Sequence, residues 1–198
     1  MIKNKFINLI ENKINKKIIE KNDIKTTNLS SIHENNKLQT IELKKFQTYY
    51  NITKKQLIKY YNLVKKENGY ILENLLKKIE SRIDYILFSS NFSKSINMSR
   101  QLINHGHICI NDKKIKFPNI LCKNNDKICL YKNIININNI INMNIKNNLN
   151  KIPNHLKIST NQDGKYIILF SNNFDFNNII YSSNIDYIKI IEFCSLNK

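Results

Sequence analysis

The chain has 198 residues, a formal net charge of +17 and 41% apolar side chains, enough for one domain or two small ones with real cores. So large a basic excess points to a polyanionic partner, because a cationic surface gains by releasing counterions from nucleic acid. A membrane-spanning helix is excluded: no uncharged apolar run nears the ~20 residues required, and the longest uncharged stretch, Asn133 to Ile145, is nearly half Asn.

Almost all of the positive charge is lysine. Arg82 and Arg100 are the only arginines, Ala and Trp are absent, and there are three Gly and two Pro. Asn, Ile and Lys dominate, which is the codon signature of a strongly AT-biased gene, typical of a reduced organellar or endosymbiont genome. Such a bias raises Lys and Asn without selection, so any one of them says little. Two arginines kept within one stretch say more. The cysteines, Cys109, Cys122, Cys129 and Cys194, form no C-x-x-C pair and have no zinc-type spacing to a His, so no metal and no cofactor is expected. Cys109 and Cys129 lie in apolar strand-like runs, where Cys is a small core residue, and a reducing compartment fits all four. The first residues show no apolar signal core. They carry Glu11, Glu20 and Asp23 with no Arg, which argues against a transit peptide and for synthesis inside the organelle.

Residues 1–36 are Lys- and Asn-rich, with Ile7, Ile10, Ile14 and Ile18 near helical spacing; this predicts a loose basic helix and then a linker. Leu38 to Tyr50 predicts a helix with Ile41 and Phe46 inward. Thr53 and Gln56 make a capping-box pair for the next helix, whose apolar face is Leu57, Tyr60, Tyr61 and Val64; Lys54, Lys55, Lys59, Lys65 and Lys66 face out. Gly69 breaks it. Leu72, Leu75, Leu76, Ile79, Ile83, Ile86 and Leu87 then predict one helix of almost five turns, burying its stripe against the two helices before it.

From Glu80 to Ile115 the pattern tightens. Asn91 tolerates left-handed backbone, and Ser95 is a natural N-cap for a helix with Met98 and Leu102 on one face. Arg100 and Gln101 project from the other side. His105-Gly106 ends the helix, His107 to Ile110 is a short strand, and Asn111-Asp112 is a two-residue turn leading to Lys113 and Lys114. A helix N-terminus, an arginine, two histidines and two lysines thus collect with little acid among them. Such a platform suits nucleic-acid phosphates; the plainer reading is a solvated helix-hairpin. Phe117-Pro118 breaks the pattern, Asn124 to Asp126 turns, and Lys127 to Tyr131 is a second strand. Ile134, Ile137, Ile141 and Ile145 form a helical stripe that Pro153 ends. His155 to Ile158 and Lys165 to Phe170 read as strands about Asp163-Gly164. Asp186, Lys189 and Glu192 suit a final short helix, with Asn184 as a cap.

Ser99-Arg-Gln-Leu, His105-Gly-His and Ile110-Asn-Asp-Lys-Lys-Ile, with Glu80-Ser-Arg-Ile-Asp before them, resemble the S-four RNA-binding module. Phe46-Gln-Thr-Tyr-Tyr, Thr53-Lys-Lys-Gln-Leu, Lys59-Tyr-Tyr and the ending Ile188-Lys-Ile-Ile-Glu-Phe-Cys-Ser resemble the small ribosomal subunit protein four family. The likeness covers roughly residues 38–198 and is strongest over 80–131. The chain departs from the family in lacking a long Gly/Arg-rich arm and an N-terminal Cys cluster, and in having Asp112 where the hairpin turn usually has Gly.

The resemblance implies an α+β fold. A basic arm over 1–36 precedes a helical domain over 37–90, joined by 184–198. An α/β domain over 80–183 holds the module at about 81–131, with a small antiparallel sheet packed on helices. It further implies binding of small-subunit rRNA early in assembly, support of translational accuracy, contacts with neighbouring small-subunit proteins and with mRNA near its entry, no membrane and no catalysis. The expected RNA contacts are Lys94, Ser95, Ser99, Arg100, Gln101, His105, His107, Asn111, Lys113 and Lys114, with Arg82 next; Arg82 has the rival reading of a local ion pair, and His107 that of a core residue. The implied compartment is a plastid-type organelle, an apicoplast or other reduced plastid, with the mitochondrion as alternative. Two other functions compete. One is a pseudouridine synthase-like enzyme using Arg82-Ile-Asp84, which has the module and the motif in the wrong order. The other is a stand-alone heat-shock or stalled-ribosome factor, which lacks the flanking helices.

Overall fold

The structure, a computed structural model, describes residues 29–131, 135–146, 151–160 and 166–196. The basic helix expected before residue 29, Ile134 and the turn at Asp163-Gly164 lie outside them. The described residues fall into two compact units, one within 59–183 and one made of 29–58 with 184–196.

In the second of these, helix α1 spans Leu29–Tyr50. It begins within the segment expected to be linker, and no Gly or Pro interrupts it. Phe46 and Tyr50 are fully buried, but Ile41 is exposed, so the inward face runs through Gln39, Leu43, Phe46 and Tyr50 instead. Asn51 takes a left-handed φ of 48°, and Ile52 N–H reaches back to Gln47 O at 3.2 Å, closing the helix by a Schellman-type bond. Helix α2, Lys54–Val64, whose residues from Lys59 on belong to the larger unit, opens on the capping box: Thr53 N–H donates to Gln56 Oε1 at 3.0 Å and Gln56 N–H to Thr53 Oγ1 at 3.3 Å. A final helix, numbered α8 in chain order, Tyr187–Leu196, packs on α1. Tyr50 and Tyr187 share a hydroxyl hydrogen bond of 3.2 Å, Gln39 donates to Glu192, and Asp186 N–H donates to Glu42. Asp186 caps α8, accepting from the N–H groups of Ile188 and Lys189; Asn184 is a left-handed linker residue instead.

The larger unit holds α3 (Ile71–Glu80) and α4 (Ile83–Ser89). The apolar stripe predicted over both is there: Leu75, Leu76, Ile79, Ile83, Ile86 and Leu87 are all fully buried. The single helix is not. Arg82 is extended, with φ −68° and ψ 133°, and bridges Leu121. Cys122 N–H donates to Ser81 O at 2.8 Å and Ile83 N–H to Ile120 O at 3.0 Å. A backbone ladder with a remote segment outcompeted one turn of helix, which periodicity cannot register.

Helix α5, Ile96–Asn104, follows, then β1 (Ile108–Ile110), β2 (Lys113–Lys114) and β3 (Lys127–Leu130). Helix α6 (Ile135–Lys146), β4 (Leu156–Thr160), β5 (Tyr166–Phe170) and α7 (Phe176–Ser183) complete the unit; α7 had no sequence signal we read. The five strands form one antiparallel sheet in the order β2-β1-β3-β5-β4. Isoleucines align across it: Ile110 opposes Ile128, Ile128 opposes Ile168, and Ile168 opposes Ile158. β-Branched side chains pack well in such a row, and Ile108, Ile128, Leu130, Leu156, Ile168 and Phe170 are buried.

Asparagine does much of the work glycine does elsewhere. Asn51, Asn91, Asn111, Asp112, Asn125 and Asn184 all have positive φ. Asn and Asp pay the smallest left-handed penalty after Gly, so a chain poor in glycine can still turn.

Candidate nucleic-acid interface

The site is built on α4, α5 and the β1-β2 hairpin. Asn91, at φ 60°, closes α4: Phe92 N–H bonds Leu87 O at 2.9 Å and Asn91 N–H bonds Phe88 O at 3.1 Å. Ser95 Oγ then accepts from Met98 N–H at 3.2 Å and starts α5. Gly106, at φ 71°, ends it by the same pair of bonds, His107 N–H to Leu102 O at 3.0 Å and Gly106 N–H to Ile103 O at 2.8 Å. The chain turns straight into β1. Asn111 and Asp112 have φ of 48° and 63°, so the hairpin turn has both central residues left-handed, as a type I′ turn requires, without glycine.

Beneath this surface lies a charged hub. Asp84, fully buried, accepts two bonds from Arg82, Nε to Oδ1 at 3.1 Å and Nη2 to Oδ2 at 2.5 Å. It also accepts from Arg100 Nε at 2.8 Å and from Tyr85 N–H at 2.9 Å. Arg82 is 0% exposed, whereas the Arg100 side chain is 26% exposed. Tyr60 adjoins the hub. Burial pushes its phenol up; the nearby Arg82 and Arg100 oppose that shift and Asp84 adds to it. A carboxylate held by charge-assisted bonds at this depth fixes the guanidinium it faces.

This geometry corrects part of the expected contact set. Arg82 is sealed in the interior on Asp84, so the local ion-pair reading holds and a direct contact with RNA does not. Ser99 is also fully buried, its hydroxyl 2.6 Å from that of Ser93, and it braces α5 against the preceding loop. Asn111 is exposed but engaged: its Oδ1 accepts from Lys127 N–H at 3.0 Å and its Nδ2 donates to Asp126 at 2.8 Å. It locks the hairpin turn to β3.

The other predicted residues reach solvent. Lys94, Ser95, Gln101, His105, Lys113 and Lys114 are exposed, and His107 is half-buried just ahead of β1, its ring centroid 6.0 Å from that of His105. Lys114 folds back across the end of α5. Its Cε stands where a Cβ on Gly106 would be, and its Nζ lies 5.3 Å from the Tyr131 ring centroid, a cation–π distance. Sequence reasoning missed Tyr131, and missed Asp84 as the anchor of Arg100. A carboxylate sixteen residues away on another helix leaves no local signal. It also passed over Lys116, Lys123 and Lys127, which are equally exposed and which the lysine-rich composition hides. Among the described residues no cluster of His, Cys, Asp and Glu could hold a metal ion, and no helix is long and apolar enough to cross a membrane.

Residues 81–128 match the S4 domain family. The chain is 37% identical over 120 residues to the small ribosomal subunit protein uS4c of Phaeodactylum tricornutum, covering 60% of this chain and 59% of that protein. It is 33% identical over 122 residues to the uS4c of Chara vulgaris, covering 62% and 59%. It is 40% identical over 92 residues to that of Prototheca wickerhamii, covering 46% and 44%. The chain thus spans less than two thirds of the length of the curated relatives it matches. Residues 81–128 thus carry an S4 domain, and over about 60% of its length the chain is similar to small ribosomal subunit proteins of the uS4c type.

Proposed function

We propose that the chain is a structural constituent of the small ribosomal subunit of a plastid-type organelle, an apicoplast or another reduced plastid. There it binds small-subunit rRNA, helps nucleate assembly and supports accurate translation. Neighbouring small-subunit proteins are its protein partners, and the mRNA near its entry passes close to it. One observation carries the reading. Within the segment that matches the S4 domain, an arginine is anchored on a buried carboxylate at the surface of a capped helix, followed by a hairpin bearing exposed lysines. Shape-matched cations on rigid elements suit the phosphates of a folded RNA. We assign the contacts to Lys94, Ser95, Arg100, Gln101, His105, His107, Lys113 and Lys114.

The burial of Asp84 supports the structural reading over the enzyme one. Asp84 is fully buried, and both its carboxylate oxygens are engaged by guanidinium groups.

The test is binding of the full chain to its own small-subunit rRNA across a salt series. Arg100→Ala should weaken binding and lower the slope of log K against log salt by roughly one ion. An unchanged slope removes Arg100 from the contacts. Absence of the protein from small subunits of its organelle overturns the whole assignment.

A further inference from the structure

Strands β1 and β3 put Cys109 directly opposite Cys129. Ladder bonds clamp the pair on both sides: Tyr131 N–H to His107 O at 2.8 Å and Asn111 N–H to Lys127 O at 2.9 Å. Opposed residues of an antiparallel ladder have Cα atoms about 4.5–5.5 Å apart, inside the ~4.4–6.8 Å that a disulfide spans. Their side chains leave the same face of the sheet. Here the two sulfurs lie 2.7 Å apart, and the Cys109 thiol is also 3.2 Å from the Cys129 carbonyl oxygen. That sulfur separation is shorter than ordinary van der Waals contact. Cys109 is 2% exposed and Cys129 half-buried, so of the two residues Cys129 is the nearer to solvent.

We propose that Cys109 and Cys129 form a modification site: a dithiol that a small two-electron oxidant, glutathione disulfide or hydrogen peroxide, converts to an intramolecular cross-strand disulfide. Two S–H bonds break and one S–S bond forms. The two electrons and two protons reduce the oxidant to two glutathione thiols or to two waters. Cys129 is the sulfur the oxidant reaches, giving a mixed disulfide or a sulfenic acid; Cys109 then attacks that sulfur and expels glutathione thiol or water. While Cys129 is a thiol, the hydrogen bond to it, and then burial, hold the Cys109 thiol well above its ordinary range, which disfavours its direct reaction with a reagent in solution; oxidation of Cys129 removes that hydrogen bond, and the short distance between the sulfurs sets up the internal step. Cys122 and Cys194 are both pushed up to about 12 by burial. The bond would staple to β3 the strand that pairs with Lys113 and Lys114 of β2, and it is independent of what that hairpin binds.

The test treats the reduced full chain with glutathione disulfide at neutral pH, quenches with N-ethylmaleimide and digests it without reductant for mass spectrometry. The native chain should lose about 2 Da, reversibly with dithiothreitol, and the 109–129 link should be the dominant one. Unfolding in urea before oxidation should abolish that dominance. Cys109→Ala should trap glutathione on Cys129, and Cys129→Val, checked as folded by circular dichroism, should show neither link nor adduct at 109. Two results overturn the proposal: a stable glutathione adduct on Cys129 of the native chain with no link to Cys109, or links spread evenly over the four cysteines.

Discussion

Arg100 and Lys113 carry the same charge on adjoining elements, yet they are held in different ways. Arg100 is fixed by a carboxylate that is itself buried and gripped by a second arginine. Lys113 stands on a two-residue strand with its side chain in water. A planar guanidinium on a rigid anchor presents donors in a set direction, whereas an ammonium on a flexible stem presents a charge without direction. The contrast shows which cations in a lysine-flooded chain have been built into place. Only two residues are arginine, and the structure ties both to one aspartate.

The hardest way to break this comparison is to remove the anchor. Asp84→Ala leaves Arg82 charged and buried without its main partner, which typically costs about 3–5 kcal/mol. Urea unfolding of the variant should show it, and Arg100→Ala, which sits nearer solvent, should cost clearly less. Equal losses would mean that Asp84 does not serve Arg82 first.

Acid probes a buried polar group that lacks such an anchor. His155 is 0% exposed, both its ring nitrogens are without a hydrogen bond among the described residues, and Glu80 is 3.8 Å away. Burial lowers its proton affinity to about 4. The unfolded chain therefore takes up that proton first. This contribution to stability is complete above the ordinary histidine value of ~6.5 and is lost as pH falls from there toward about 4, by up to roughly 3 kcal/mol. Melting followed from pH 7 to 4 should drop across that window, and His155→Phe should flatten the drop.

Gly106→Ala comes next. Its positive φ strains any side chain, and the new Cβ meets Lys114, so a loss of about 1–2 kcal/mol is expected with Lys114 displaced. Rescue by Gly106→Asn relative to Ala would separate backbone strain from the lysine clash. The smallest effect belongs to the free-standing cations. Lys113→Ala should leave stability within about 0.5 kcal/mol and lower the RNA salt slope by roughly one ion. A loss of affinity larger than that of Arg100→Ala would invert the comparison.

The elements read best from sequence were those whose causes are local. The capping box at Thr53 and Gln56, the Ser95 cap, the glycine stop at Gly106 and the left-handed Asn91 all depend on residues within a few positions of one another, and each stands where the sequence places it. Ile41 faced outward because a helix of that pattern offers more than one apolar stripe, and only the partner helix selects among them. The same limit hid α7, whose Phe, Asn, Ile, Tyr and Ser residues all have weak intrinsic helix preference.

By itself the sequence determined the charge, the helix-turn-hairpin order of the module and the periodic faces of its helices, since these rest on residue type and spacing. Tertiary structure alone decided that the long helix breaks at Arg82, that Asp84 joins two arginines, that Ser99 and Asn111 brace the frame, and that two cysteines twenty residues apart meet. Those outcomes depend on pairing between distant segments, where a backbone ladder or a buried charge outweighs the local preference of any one residue.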